Sequence, residues 1–285
     1  MSASLAGDVR EEVAPGVAEN THVFGPGLVG TLAVPTEARY RNVALILFNA
    51  GLIQRGGPFR VYTKLARSLA RQGFVVLRFD QAGLGDSAES VATDHAVQRL
   101  EATEAAMNLI KDQTGVDRFV LGGICSGADD ALNVGPDNPR VDGLLLLDGA
   151  AYRTTGYKVR HYLPRLFRPM SVIRALMRLF QRARSGEPSL DSVDLFRDFP
   201  DRTEMILRLK RMIDRDASVL LLYTGGYDQL YNHPRQAGEF LGELAKVPNV
   251  SSLYLADCDH TFYLGEHRER LVREVGAWMQ ARYSR

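Results

Sequence analysis

Residues 118–127 read Arg118-Phe119-Val120-Leu121-Gly122-Gly123-Ile124-Cys125-Ser126-Gly127, and the reading of this stretch decides the fold. The run from Arg118 to Leu121, extending to Gly122, has the apolar content of a buried strand, and a helix is expected to follow Cys125. A strand that passes through Gly-x-Cys-x-Gly into a helix must turn sharply. Glycine at positions 123 and 127 removes the Cβ atoms that would hold helix and strand apart, while the residue between them takes a strained conformation. Such a turn sets Cys125 at a helix N-terminus, where the dipole favours a thiolate over a thiol whose ordinary pKa is about 8.5.

Outward from this turn, apolar runs alternate with amphipathic stretches. Before it lie a hairpin over Thr21–Pro35, broken by Gly25, Pro26 and Gly27, a buried strand over Val43–Phe48 and a helix over Phe59–Gln72 that stops at Gly73. A strand over Phe74–Phe79 and a long helix over His95–Lys111 follow. After it come strands over Val141–Leu147, Val219–Tyr223 and Ser252–Leu255, with helices over His233–Ala245 and Arg268–Tyr283. Strand–helix alternation of this kind predicts an α/β fold with a mostly parallel central sheet flanked by helices. The period breaks between Ala151 and Asp216, where the chain is helical and rich in arginine. We read residues 1–150 and 217–285 as the core and 151–216 as a helical cap.

The chain supplies partners for Cys125 at the ends of later strands. Asp228 follows Val219–Tyr223 across Gly225-Gly226, and His260 follows Ser252–Leu255 in Asp257-Cys258-Asp259-His260. Parallel strands deliver the loops at their carboxyl ends to one edge of the sheet. There His260 takes the thiol proton and returns one to the leaving group, while Asp228 fixes the imidazole's tautomer. An oxyanion needs backbone donors. The expected pair is the N–H of Ser126, at the helix start, and that of Leu52 in Asn49-Ala50-Gly51-Leu52.

With strands, elbow, acid and histidine in this order, the chain resembles the α/β-hydrolase superfamily from about Val23 to Trp278. Arg78-Phe79-Asp80-Gln81-Ala82-Gly83-Leu84-Gly85-Asp86-Ser87 looks like the family's aspartate, small turn and G-x-G-x-S. The cysteine elbow is similar to those of dienelactone hydrolases, polyhydroxyalkanoate synthases and small hydrolases encoded beside exosortase or polyketide systems. At the family's usual His-Gly this chain has Ala50-Gly51, preceded by Asn49. Some members take their acid from the strand before the usual one, and Asp148 stands in that place as a rival to Asp228.

The resemblance implies acyl transfer through an acyl-cysteine, with hydrolysis of an ester, thioester or lactone as the first expectation. An acyltransferase or cyclase is the alternative, and a non-catalytic binding protein of the same fold is a third. Neither cofactor nor metal is expected: Asp257, Asp259 and Cys258 read as loop and packing residues. The 35 basic and 34 acidic side chains give a net charge of +1, which removes the global argument for nucleic-acid binding. No run approaches the ~20 apolar residues of a membrane span, and two cysteines are too few for a disulfide framework, so the expected setting is cytoplasmic. Arg160, Arg165, Arg168, Arg174, Arg178, Arg182 and Arg184 in the cap read either as a solvated face or as a surface for an anionic partner, such as a carrier protein or coenzyme A.

Overall fold

The computed structural model describes residues 11–37, 39–92, 94–166 and 197–284. Nine strands form one sheet: β1 (Glu11–Ala14), β2 (Val17–Phe24), β3 (Leu28–Pro35), β4 (Ala44–Leu47), β5 (Val75–Asp80), β6 (Phe119–Ile124), β7 (Val141–Leu147), β8 (Ser218–Thr224) and β9 (Val250–Leu255). Their order is β1-β2-β3-β5-β4-β6-β7-β8-β9, antiparallel from β1 through β5 and parallel from β5 onward. The chain leaves β4 for β5 on one side and returns to β6 on the other. Strand order therefore reverses between β4 and β6, and such a reversal opens a crevice at the strands' carboxyl ends. Cys125 follows β6 directly, and Asn49 lies just past β4.

Seven helices are described: α1 (Val61–Arg71), α2 (His95–Thr114), α3 (Ser126–Val134), α4 (Thr155–Leu166), α5 (Arg202–Ile213), α6 (Gln236–Leu241) and α7 (Gly265–Tyr283). One apolar layer sets Tyr62, Leu65 and Leu69 of α1 and Leu271, Val275 and Met279 of α7 against the sheet. The other gathers Met107 and Ile110 of α2, Leu132 of α3, Met205 and Leu209 of α5 and Phe240 of α6. Each such side chain contributes about 1.5–3 kcal/mol by leaving water. Local signals set the helix ends. The Asp94 carboxylate accepts from the Ala96 amide, Gly115 closes α2 at φ 77°, and Asp201 accepts from the Glu204 amide at the start of α5.

The sequence reading gave all of 151–216 to a cap, but α5 packs on the sheet. Parallel β7 and β8 are neighbours, so a crossover must join them across one face. With Met205, Leu209 and Met212 buried, α5 is the described helix of that crossover whose apolar face rests on the core. Of the cap's arginines, Arg160 pairs with Glu239 at 2.7 Å. Arg168, Arg174, Arg178, Arg182 and Arg184, and the side chain of Arg165, lie outside the described residues. The strand β1 was not expected from its polar sequence. It takes its place at the sheet edge by antiparallel pairing with β2.

A Cβ on Gly127 would stand 2.5 Å from the Asn49 carbonyl oxygen, whereas one on Gly238, on the exposed side of α6, meets nothing within 4 Å. Gly127→Ala is expected to destabilise the protein by about 1–3 kcal/mol and Gly238→Ala to stabilise it by about 0.5–1 kcal/mol, both read from thermal or denaturant unfolding.

Candidate active site

The turn after β6 is strained as its sequence demands. Cys125 sits at φ 59° and ψ −118°, a conformation that side-chain-bearing residues rarely adopt. Its amide donates to the Leu147 carbonyl at 2.8 Å, and its carbonyl accepts from the amides of Ala128 and Asp129, the first bonds of α3. A Cβ on Gly123 would lie 2.7 Å from the carbonyl carbon of Gly127, so both glycines are needed for helix and strand to close on each other. Below the turn, the Ile124 amide donates to the fully buried Tyr62 hydroxyl at 2.6 Å. The half-buried thiol thus stands on a fixed backbone at the N-terminus of α3.

The structure brings His260 to Cys125, and its acid partner is Asp148. The distance from His260 Nδ1 to Asp148 Oδ2 is 2.8 Å. Asp148 is 1% exposed and accepts twice more, from the Thr224 amide and the Thr224 hydroxyl, each at 2.7 Å. Burial opposes a charge on His260, but hydrogen bonds to Asp148 and then to the Cys125 side chain outweigh it, and the imidazole is raised to about 10. Asp228, the acid expected from the sequence, is exposed beyond the turn Gly225–Tyr227, and its carbonyl accepts from the Tyr157 hydroxyl. The correction has a geometric cause. β7 lies between β6 and β8, so the loop leaving β7 sits nearer Cys125 than the loop leaving β8. At the end of β8, Thr224 serves instead as a donor to Asp148.

Ser126 and Leu52 lie at the mouth of the crevice. The Ser126 amide opens α3 and has no intrahelical acceptor. Its hydroxyl accepts from the Gly51 amide at 2.9 Å, which ties the loop after β4 to the elbow. A buried polar cluster shapes the rest of that loop. Asn49, 1% exposed, donates through Nδ2 to the Ile53 carbonyl at 2.9 Å and to Asp80 Oδ1 at 3.1 Å, and its Oδ1 accepts from the Gln81 amide at 2.7 Å. The fully buried Asp80 also takes the Arg55 amide and guanidinium. Composition-level reading missed Arg55 and left Asn49 without a role. The signal available was the aspartate-turn stretch itself, which needs basic and amide partners once buried.

A cavity of about 790 Å³ opens from Gly51, Leu52 and Ser126 and extends past Leu84 and Ala102 to Asp129 and Arg197. Among the described residues, one group has metal-ligand character: atoms of Asp257, Cys258 and His267 lie within 4.8 Å of one another. Asp257 is paired with Arg270 and His267 with Asp259, while burial, then the Asp257 charge, pushes the Cys258 thiol up to about 11.

A strained strand–helix elbow bearing a thiol, with histidine and buried aspartate aligned behind it, defines an α/β-hydrolase site. The model of the family described as serine aminopeptidase, S33, matches residues 41–205, more than half of the chain, and the protein belongs to that family. Its elbow carries cysteine where the family's name specifies serine. Solved structures with the same fold include the esterase domain of a Rhodothermus marinus protein, 22% identical over 93% of this chain and 98% of that one, with a TM-score of 0.56. Another is a dienelactone hydrolase from Anabaena variabilis, 13% identical over 93% and 99%, TM-score 0.55. A third is a proline iminopeptidase from Mycobacterium smegmatis, 16% identical over 93% and 98%, TM-score 0.56. No curated protein matches the chain.

The pairing is open to direct titration. By NMR the His260 ring is expected to lose its proton near pH 10 rather than near 6.5. Asp148→Asn is expected to return it toward 6.5, and Asp228→Asn to leave it in place. Because the folded value is raised, the stability contributed by the charged ring is complete below about pH 6.5 and is lost as pH climbs through about 10.

Proposed function

We propose that the protein is an acyl hydrolase in which Cys125, His260 and Asp148 act in sequence on an ester, thioester or lactone. The observation that carries this reading is the chain of contacts from buried Asp148 through His260 to the Cys125 side chain, whose neighbour Ser126 lines a cavity. With His260 held in its charged form, the proton rests on the ring and the sulfur is poised to attack. The sulfur forms a bond to the substrate's carbonyl carbon, the carbonyl electrons move onto oxygen, and the Ser126 amide receives that charge. The Gly51 amide is already committed to Ser126 Oγ, and the amide of Leu52 beside it is the second donor. Collapse breaks the bond to the leaving group, which takes the proton from His260. Neutral His260 then removes a proton from water, hydroxide attacks the thioester, and the thiolate leaves as the free acid forms.

The acyl group is a small-molecule substrate, delivered free or on a carrier such as coenzyme A, for which the cap's arginines offer charge complementarity. No described helix is long and apolar enough to cross a membrane. Both cysteines are free thiols, which suits a reducing, cytoplasmic setting.

Incubation with activated esters and thioesters, followed by intact and peptide mass spectrometry, is expected to show one acyl group on Cys125. Cys125→Ala abolishes the adduct. His260→Ala and Asp148→Asn are expected to slow its formation by about 10²–10⁴-fold, and Asp228→Asn by no more than a few-fold. Free acid as product supports hydrolysis; product appearing only with an added amine, alcohol or thiol assigns acyl transfer instead. Absence of any adduct on residue 125 sinks both.

A further inference from the structure

The Arg197 side chain is buried beside α3. Its Nε donates to Asp129 Oδ2 at 2.7 Å and its Nη2 to Oδ1 at 2.8 Å, a two-pronged pair whose side chains are 4% and 2% exposed. Asp129 stands one turn beyond the nucleophile on α3, and its amide donates to the Cys125 carbonyl at 3.2 Å. The remaining arm, Nη1, donates to the Tyr227 hydroxyl, and the guanidinium lies over the rings of Tyr227 and Phe199, 5.5 and 4.9 Å from their centroids. The Tyr227 ring lies near-parallel to the His260 imidazole, with centroids 5.6 Å apart and planes 13° apart. One side chain therefore meets the nucleophile helix with two atoms and, with a third, the ring that backs the base.

We propose that Arg197 is a positioning residue for the triad, a latch that fixes the Tyr227 ring against His260 and α3 beneath Cys125. His260 is held along one edge by Asp148 and on one face by Tyr227. Either a swing or a tilt of the ring would open its contact with Cys125. Stability alone is a poor reason for the pair, because a buried ion pair is often replaced by apolar residues of similar size without loss of stability. Burial pushes Asp129 up to about 6, with the hydrogen bonds and charge of Arg197 acting against that rise. Arginine suits the place better than lysine, since only a planar fork can grip a carboxylate with two donors and still reach a phenol.

The inference extends the thiol-triad reading, and its primary readout is independent of turnover: the rate at which iodoacetamide modifies Cys125, with Cys258 in the same digest as internal reference. Arg197→Met is expected to slow that rate by about tenfold, the equivalent of about 1.4 kcal/mol. Arg197→Lys keeps the charge without the fork and is expected to be about as slow. Arg197→Met/Asp129→Leu removes both charges; it is expected to unfold near the wild-type temperature yet to remain slow in alkylation. With an activated ester, the same variants should lose kcat with KM little changed. Full recovery of the alkylation rate in the double variant would make the pair merely structural, and full recovery in Arg197→Lys would assign the effect to charge; either result overturns the latch. Slow alkylation in the variants of a protein that turns over no ester would retain the latch and remove the hydrolase.

Discussion

The close approach of α3 to the carboxyl ends of β4 and β6 is the constraint on which the site depends. Backbone meets backbone where Gly127 passes under the Asn49 carbonyl, and no side chain fits between them. That contact forces Cys125 into its strained conformation, points the helix N-terminus at the crevice and brings the Ser126 hydroxyl within 2.9 Å of the Gly51 amide. Elbow and the loop after β4 are therefore one object, joined twice: by packing through Gly127 and by a hydrogen bond through Ser126. Strain at Cys125 persists because Tyr62 beneath it and the β7 backbone beside it leave the turn no other route.

Two buried polar clusters stand on either side of this contact and divide the work. Asp80, Asn49 and Arg55 shape the loop after β4. Asp148 and Thr224 hold His260. In both, a buried carboxylate is surrounded by donors, so each has a single arrangement in which every group is satisfied. An apolar core would tolerate small rotations of its members. These clusters do not, and a reactive centre gains its fixed geometry from them. The sheet below is ordinary by comparison, with aliphatic side chains on both faces.

Much of this was legible in the residues. Elements that bury a continuous apolar stripe, such as Val141–Leu147 or the helix after His95, were found within a few residues of their true ends. Gly123 and Gly127 marked the elbow because only a missing Cβ explains glycine at both places. The aspartate that meets His260 was misread for an equally physical reason. Asp148 and Asp228 each follow an aliphatic strand, and nothing in either local stretch tells how far its loop lies from β6. The helix Arg202–Ile213 was assigned to the cap because helical periodicity is the same whether the apolar face rests on a lid or on a sheet.

By itself, the sequence determined the local chemistry: which runs become strands, where the chain must turn without a side chain, and that a thiol rather than a hydroxyl occupies the turn. Tertiary structure decided which distant charges meet. Asp148 rather than Asp228 behind His260, Arg197 in the grip of Asp129, and Arg55 on Asp80 are all pairings between residues 25 or more positions apart. Backbone preferences act over a few residues and are written in the local pattern. A buried charge, in contrast, takes whichever partner the strand order places within about 3 Å, and that order is set only when the whole sheet has formed.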